Sequence, residues 1–101
     1  MILTDIRVNK EEENENGNLF SVEVSKGDSI SNHRVTLESK DFKRLAPSGV
    51  SEKSLIEESF RFLLEREPKE SILSSFDLTV ISNYFPEYEK EIKNRLENQT
   101  G

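Results

Sequence analysis

The sequence predicts an α+β fold: a three-stranded antiparallel sheet followed by three or four short helices packed on one face of it. Two observations carry this expectation. Apolar and polar residues alternate in three runs within residues 2–38, the period of half-buried strands. From Val50 to Ile92 the apolar residues recur every three or four positions, with Pro68 and Pro86 between groups, the period of helices and the punctuation that separates them. A chain of 101 residues fits a single domain, set here at residues 1–97. A tail at 98–101 is expected to fray.

The first strand is read from Ile2, Thr4, Ile6 and Val8, which alternate with Leu3, Asp5, Arg7 and Asn9. Residues 10–18 follow, with four glutamates and three asparagines. They cannot bury enough surface to offset ordering entropy, so they read as an acidic, flexible hairpin loop. Asn16-Gly17 favours positive φ and a turn within it. The calcium-loop spacing is absent, so the acids are read as solvated rather than metal-binding. Phe20, Val22 and Val24 then form the second strand, antiparallel to the first. Lys26-Gly27-Asp28-Ser29 is a turn. His33, Val35 and Leu37, alternating with Arg34, Thr36 and Glu38, make the third strand. A meander with one apolar face needs a cover.

The helices supply that cover. Phe42 and Leu45 mark a short helical turn that Pro47, Ser48 and Gly49 stop. Ser51 is a good N-cap for the next helix, and Val50 before it is placed to staple onto Leu55. Leu55, Ile56, Ser59, Phe60, Phe62, Leu63 and Leu64 spread over about 200° of that helix at roughly 100° per residue. A stripe this wide implies two partners, the sheet on one side and later helices on the other. Pro68 opens a further helix with Ile72, Leu73 and Phe76 on its apolar side. Asp77 caps the next, which carries Leu78, Val80, Ile81, Tyr84 and Phe85. Phe85 precedes Pro86, which disfavours helical backbone, so that helix ends or kinks there. Tyr88, Ile92 and Leu96 form a thin stripe on a last, highly charged helix expected to lie on the surface.

Composition narrows the function classes. Net charge is −6, with 7 basic against 9 acidic residues in 1–50 and 7 against 11 in 51–101. Neither half is basic, which argues against non-specific binding to nucleic acid or anionic membranes. The chain has no cysteine, which excludes disulfides, thiol catalysis and thiolate metal sites. No apolar run approaches the roughly 18 residues of a membrane span, and no leader-like segment opens the chain. A cytoplasmic protein is expected. His33 is the single histidine, without the second ligand that a zinc site needs, and is read as structural. No Gly-x-Ser-x-Gly elbow or glycine-rich phosphate loop occurs. No cofactor, metal or catalytic residue is assigned, and the chain is read as non-enzymatic.

The residues that point to binding are aromatic. Tyr84, Phe85 and Tyr88 surround Pro86. They form either a hydrophobic corner between two helices or an exposed patch that meets another protein, since tyrosine suits interfaces. The leading expectation is a small protein-interaction or regulatory module whose partner is another protein.

Two resemblances accompany these readings. Arg34-Val35-Thr36-Leu37, a short helix, then Gly49-Val50-Ser51-Glu52-Lys53-Ser54-Leu55 and a long helix resemble a ribbon-helix-helix DNA-binding unit over residues 33–66. That resemblance implies a DNA-binding regulator or antitoxin, with Arg34 and Thr36 reading bases and the backbone at Ser51 meeting phosphate. The first helix ends early, at Pro47, and the net charge has the wrong sign, so this is the alternative reading. The segments Phe62-Leu63-Leu64-Glu65-Arg66-Glu67-Pro68-Lys69-Glu70-Ser71-Ile72-Leu73, Phe76-Asp77-Leu78 and Tyr84-Phe85-Pro86-Glu87-Tyr88 are similar to a group of small uncharacterised prokaryotic proteins. That similarity implies no activity.

Overall fold

The computed structural model of the chain describes residues 3–100, apart from the side chains of 99 and 100. Met1, Ile2 and Gly101 lie outside the described residues. The architecture is α+β. Strands β1 (Thr4–Asn14), β2 (Gly17–Lys26) and β3 (Ser29–Glu38) form the expected antiparallel meander. The sheet has a fourth strand, β4 (Ser75–Asp77), which pairs parallel to β3, so the order is β1-β2-β3-β4 and the sheet is mixed. Helices α1 (Ser39–Leu45), α2 (Glu52–Leu64), α3 (Ile81–Tyr84) and α4 (Tyr88–Thr100) complete the fold.

The pleat sorts the strands as their alternation demands. Phe20, Val22, Val24, Val35 and Leu37 are all buried on one face, joined by His33. Register places Val8 opposite Val22 and Ile6 opposite Val24, so β1 adds its two half-buried apolar residues to the same face. The other face carries Arg7, Asn9, Ser21, Glu23, Asn32, Arg34 and Thr36 and meets solvent, as an antiparallel sheet tolerates.

The hairpin between β1 and β2 corrects the loop expected at 10–18. Its strands run to Asn14 and resume at Gly17, leaving only Glu15 and Asn16 as the turn. The ladder satisfies the backbone of the glutamate-rich arm while its side chains stay in water. A shift of register between Lys10 and Glu12 relieves the pairing, the mark of a bulge. Neither Asn16 nor Gly17 has positive φ; among described residues only Gly27 and Gly49 do, both in connections. Gly17 is needed for a different reason. A Cβ there would stand 2.5 Å from the Leu37 carbonyl oxygen and 2.7 Å from Glu38 Cα, closer than backbone atoms allow.

α2 starts where its cap says. The Ser51 hydroxyl accepts from the Ser54 amide at 3.1 Å. The helix buries Leu55, Ile56, Ser59, Phe60, Phe62 and Leu63, and the width of that stripe is explained by two contacts. Phe60 lies against the sheet, with its ring 5.4 Å from His33 and 6.0 Å from Phe76. Phe62 points the other way, 5.3 Å from the ring of Tyr88 on α4.

After Pro68 the expected helix is only a 3-10 turn, Lys69–Ser71. The chain then extends, and Phe76 belongs to β4 rather than to a helix. Asp77 caps as expected, accepting from the Thr79 amide at 3.1 Å, and a 3-10 turn at Leu78–Val80 leads into α3. Phe85 leaves helical space at φ −132° and ψ 90°, as a residue before proline should.

α4 lies at the surface as expected, with Lys90, Asn94, Glu97 and Asn98 exposed, and turns its thin apolar stripe inward. Tyr88, Ile92 and Leu96 are fully buried. Three residues one turn apart suffice to seat the helix against α2, and its charged sides clamp it there. Arg66 reaches Glu91 at 2.8 Å and Glu87 at 3.3 Å, and Arg95 reaches Glu65 at 2.6 Å. The Arg66 guanidinium also lies 3.6 Å from the centre of the Phe62 ring, a cation–π contact. The backbone of α4 is helical through Thr100, so the tail expected from residue 98 continues the last helix.

Leu63 is 4% exposed in the middle of α2. Leu63→Ala is expected to cost about 2–5 kcal/mol, the range for truncating a packed leucine, in urea unfolding. A loss under about 0.5 kcal/mol, the size of a typical surface change, would mean that the face of α2 is wrongly assigned.

Candidate functional site

The aromatic corner divides into three environments. Tyr88 opens α4 and is fully buried, so it is removed from the candidate partner-binding residues. Its hydroxyl lies 2.6 Å from the Ser59 hydroxyl, which is 2.7 Å from the Leu55 carbonyl. A carbonyl only accepts, so Ser59 donates to Leu55 and Tyr88 donates to Ser59. Every buried polar atom of the corner is thereby satisfied, as burial requires. Burial pushes the Tyr88 phenol well above the ordinary tyrosine range. Phe85 is half-buried and meets Phe62 edge-on at 5.9 Å. Tyr84 is 65% exposed.

Tyr84 and Phe85 form one wall of an apolar groove. The opposite wall is the extended segment before β4, with Ile72 and Leu73, and the floor includes Leu63, Phe76 and Ile81. Val80 stands at the rim. The volume is about 130 Å³. Leu73, 45% exposed, faces this groove, so two of the four large exposed apolar side chains among the described residues border one site. The other two, Leu3 and Ile30, belong to the sheet region.

Secondary structure explains why the groove is open. α3 is one turn long and must stop before Pro86, so it covers little of the sheet's inner edge. β4 lies at the edge of the sheet, with β3 on one side only. The segment feeding β4 is held by His33. The imidazole Nδ1 lies 2.7 Å from the Leu73 carbonyl and Nε2 lies 2.8 Å from the Ser31 hydroxyl. The carbonyl can only accept, so Nδ1 carries a proton and donates it to Leu73. The Arg34 amide donates to the Ser74 carbonyl at 2.8 Å, a second tie one residue on. His33 thus holds one wall of the groove in place.

Glu67 also lines the groove. It is half-buried, and its carboxylate makes no hydrogen bond or ion pair to any described residue. On its far side lies a separate polar pocket with Lys26, Lys69 and Glu70. The Lys69 ammonium there is buried and held by the Ser29 hydroxyl and the Glu70 carboxylate. That hydrogen bond from Lys69 pulls the Glu70 carboxyl below its usual range.

The residues mapped to DNA contact are not brought together. Arg34 and Thr36 lie on the solvent face of β3, where the Thr36 hydroxyl donates to Asp77 at 2.8 Å. Ser51 begins α2, which covers the opposite face, and its hydroxyl is engaged by the Ser54 amide. β3 is flanked by β2 and, at Arg34–Thr36, by β4, so the stretch mapped to base reading has no free edge for a two-stranded ribbon with a second copy.

Among the described residues no group of three or more His, Asp or Glu side chains could hold a metal ion. No helix among them is long and apolar enough to cross a membrane. No family model, curated protein or solved structure matches the chain significantly.

Sequence reasoning named Tyr84 and Phe85 but missed Leu73, Val80 and Glu67. Local periodicity puts Leu73 on the apolar side of a helix after Pro68. The extended path of 72–77, which turns it to solvent, depends on pairing with β3, a contact that local periodicity does not encode.

Two expectations follow for the corner. Tyr84→Ala should change stability by less than about 0.5 kcal/mol in thermal unfolding, the usual size for an exposed site; a loss above about 2 kcal/mol would show the ring to be part of the core. Tyr88 carries a pH signature. Its phenol ionises near pH 10 in the unfolded chain and at higher pH when folded. Its contribution is therefore complete below about pH 10 and is lost as pH rises beyond it. Urea midpoints at pH 9 and 11 should fall more steeply for the wild type than for Tyr88→Phe. Equal slopes would exclude the buried phenol as the cause.

Proposed function

We propose that this chain is a small, non-enzymatic protein-interaction or regulatory module, and that a protein partner docks in the groove bounded by Leu73, Val80, Tyr84 and Phe85. The observation that carries this reading is the joint exposure of Leu73 and Tyr84 at one concave site. Scattered single apolar residues need no explanation, but two that share a groove are what a binding site presents. Leaving them in water forgoes roughly 1.5–3 kcal/mol for each large side chain that burial would gain. Tyr84 is also suited to the role, with an apolar ring and a polar tip on a short side chain of few rotamers.

The groove is small for a cofactor. At about 130 Å³ it falls below the ~300 Å³ at which small-molecule pockets begin. It suits a side chain reaching in from another protein.

The alternative, a ribbon-helix-helix-like DNA-binding regulator or antitoxin, would act through Arg34 and Thr36. It has less support: β3 lies inside the sheet, and a net charge of −6 opposes the phosphate field.

The deciding experiment immobilises the wild-type chain, Leu73→Asp, Tyr84→Ala and Arg34→Ala, each checked for unchanged thermal unfolding, and compares what they retain from the host's extract. A protein retained by wild type and Arg34→Ala but lost from both groove variants is the expected outcome. Retention by both groove variants would remove the groove from consideration. Loss on Arg34→Ala alone, with retardation of duplex DNA from its own operon, would promote the alternative.

A further inference from the structure

We propose that the groove selects a peptide segment in which a phenylalanine-sized apolar side chain adjoins a lysine or arginine, the apolar group filling the groove and the cation meeting Glu67. This deepens the docking reading and rests on it.

The size of the groove specifies the first element. A cavity of about 150 Å³ lined by aliphatic and aromatic side chains holds one benzene molecule. The groove here has about 130 Å³ and is lined by Leu63, Ile72, Leu73, Phe76, Ile81 and Phe85 among others. It has room for a single ring or branched aliphatic chain, so one anchor residue is accommodated rather than an extended apolar stretch. The aromatic lining also gives a ring edge-on partners, an arrangement worth about 0.5–1.5 kcal/mol beyond area.

The second element follows from charge. Glu67 is the one acidic side chain that lines the groove. It stands out among the acids near it: Glu65 is paired with Arg95, Glu70 with Lys69, and Glu87 and Glu91 with Arg66. Its own carboxylate has no partner among the described residues. Lys26 and Lys69 border the pocket on its far side, yet neither comes within ion-pair distance, and Lys69 is already committed to Glu70 and Ser29. Docking an apolar group beside a half-buried carboxylate removes water from it, which costs free energy unless a cation or donor replaces that water. A basic residue next to the anchor does so; an acidic one adds repulsion. The net charge of −6 acts in the same direction at longer range and speeds encounter with a basic partner.

The test uses the full chain, isotope-labelled, and two blocked hexapeptides, GSFKSG and GSFESG, titrated to millimolar concentration at about 0.15 M salt, where distant charges are screened. Amide shifts at Glu67, Leu73, Val80 and Tyr84 report groove occupancy. The lysine peptide is expected to bind about fivefold tighter, the factor that one partly buried ion pair of ~1 kcal/mol supplies. Glu67→Gln should abolish most of that preference while still binding both peptides. Glu12→Gln, on β1 at the opposite edge of the sheet, should preserve it. Equal affinity of the two peptides for the wild-type groove, or a preference that survives Glu67→Gln, overturns the charge inference and leaves docking standing. Failure of both peptides to shift the groove amides overturns the docking reading as well.

Discussion

α2 is buried on two faces, and the rest of the helical layer takes its place from that fact. A helix that covers a sheet normally keeps its outer side in water. Here Phe60 packs down onto the sheet against His33 and Phe76, while Phe62 points away into Tyr88 and Phe85. Two phenylalanines two residues apart face nearly opposite sides of a helix. Each needs its own partner layer. The sheet supplies one, and α4 with the Pro86 corner supplies the other. Without Tyr88, Ile92 and Leu96, the side of α2 that carries Phe62 would be in water.

The charges follow from the same geometry. Packing α4 against α2 brings acidic and basic side chains together: Arg95 touches Glu58 on α2 and Glu91 on its own helix, and Arg66, just past α2, touches Glu91. Individually such partly exposed pairs contribute about 0–1 kcal/mol. Their position matters more than their number. The Arg66 guanidinium lies over the Phe62 ring, so the network closes the rim of a hydrophobic contact. Arg44 joins Asp41 on α1 to Glu89 in the first turn of α4.

Much of this was legible in the sequence because it is local. The alternation of Phe20, Val22 and Val24 and of His33, Val35 and Leu37 identified strands and their buried face. Ser51 and Asp77 announced helical starts that the structure places there, and Phe85 before Pro86 announced an end. The 200° stripe on α2 implied two packing partners. What escaped was non-local. Ser75-Phe76-Asp77 has no alternation long enough to read, and Ile72, Leu73 and Phe76 have a spacing that fits a helix equally well. Only the parallel ladder to β3 decides between them. The acidic hairpin misled for the opposite reason. Its composition argues for disorder, but β2 is already held by β3 from Gly17 onward, so the glutamate-rich end of β1 pairs along a fixed strand while its own side chains stay in water.

The candidate site inherits that division. Tyr84 and Phe85 were visible as an aromatic pair beside a proline, whereas the wall facing them exists only because β4 joins the sheet. His33 connects the two levels. Its ring packs on Phe60 within the core, and its Nδ1 proton fixes the Leu73 carbonyl, which holds the chain extended where the groove needs a wall. A buried imidazole with both nitrogens hydrogen-bonded costs little to keep, and it carries position from the core to the surface over one side chain. The groove is therefore tied to the sheet on its Leu73 side. On its Tyr84 side it hangs on a single helical turn between Val80 and Pro86. In the docking we propose, a partner's side chain would meet one wall tied to the sheet and one that rests on a four-residue helix.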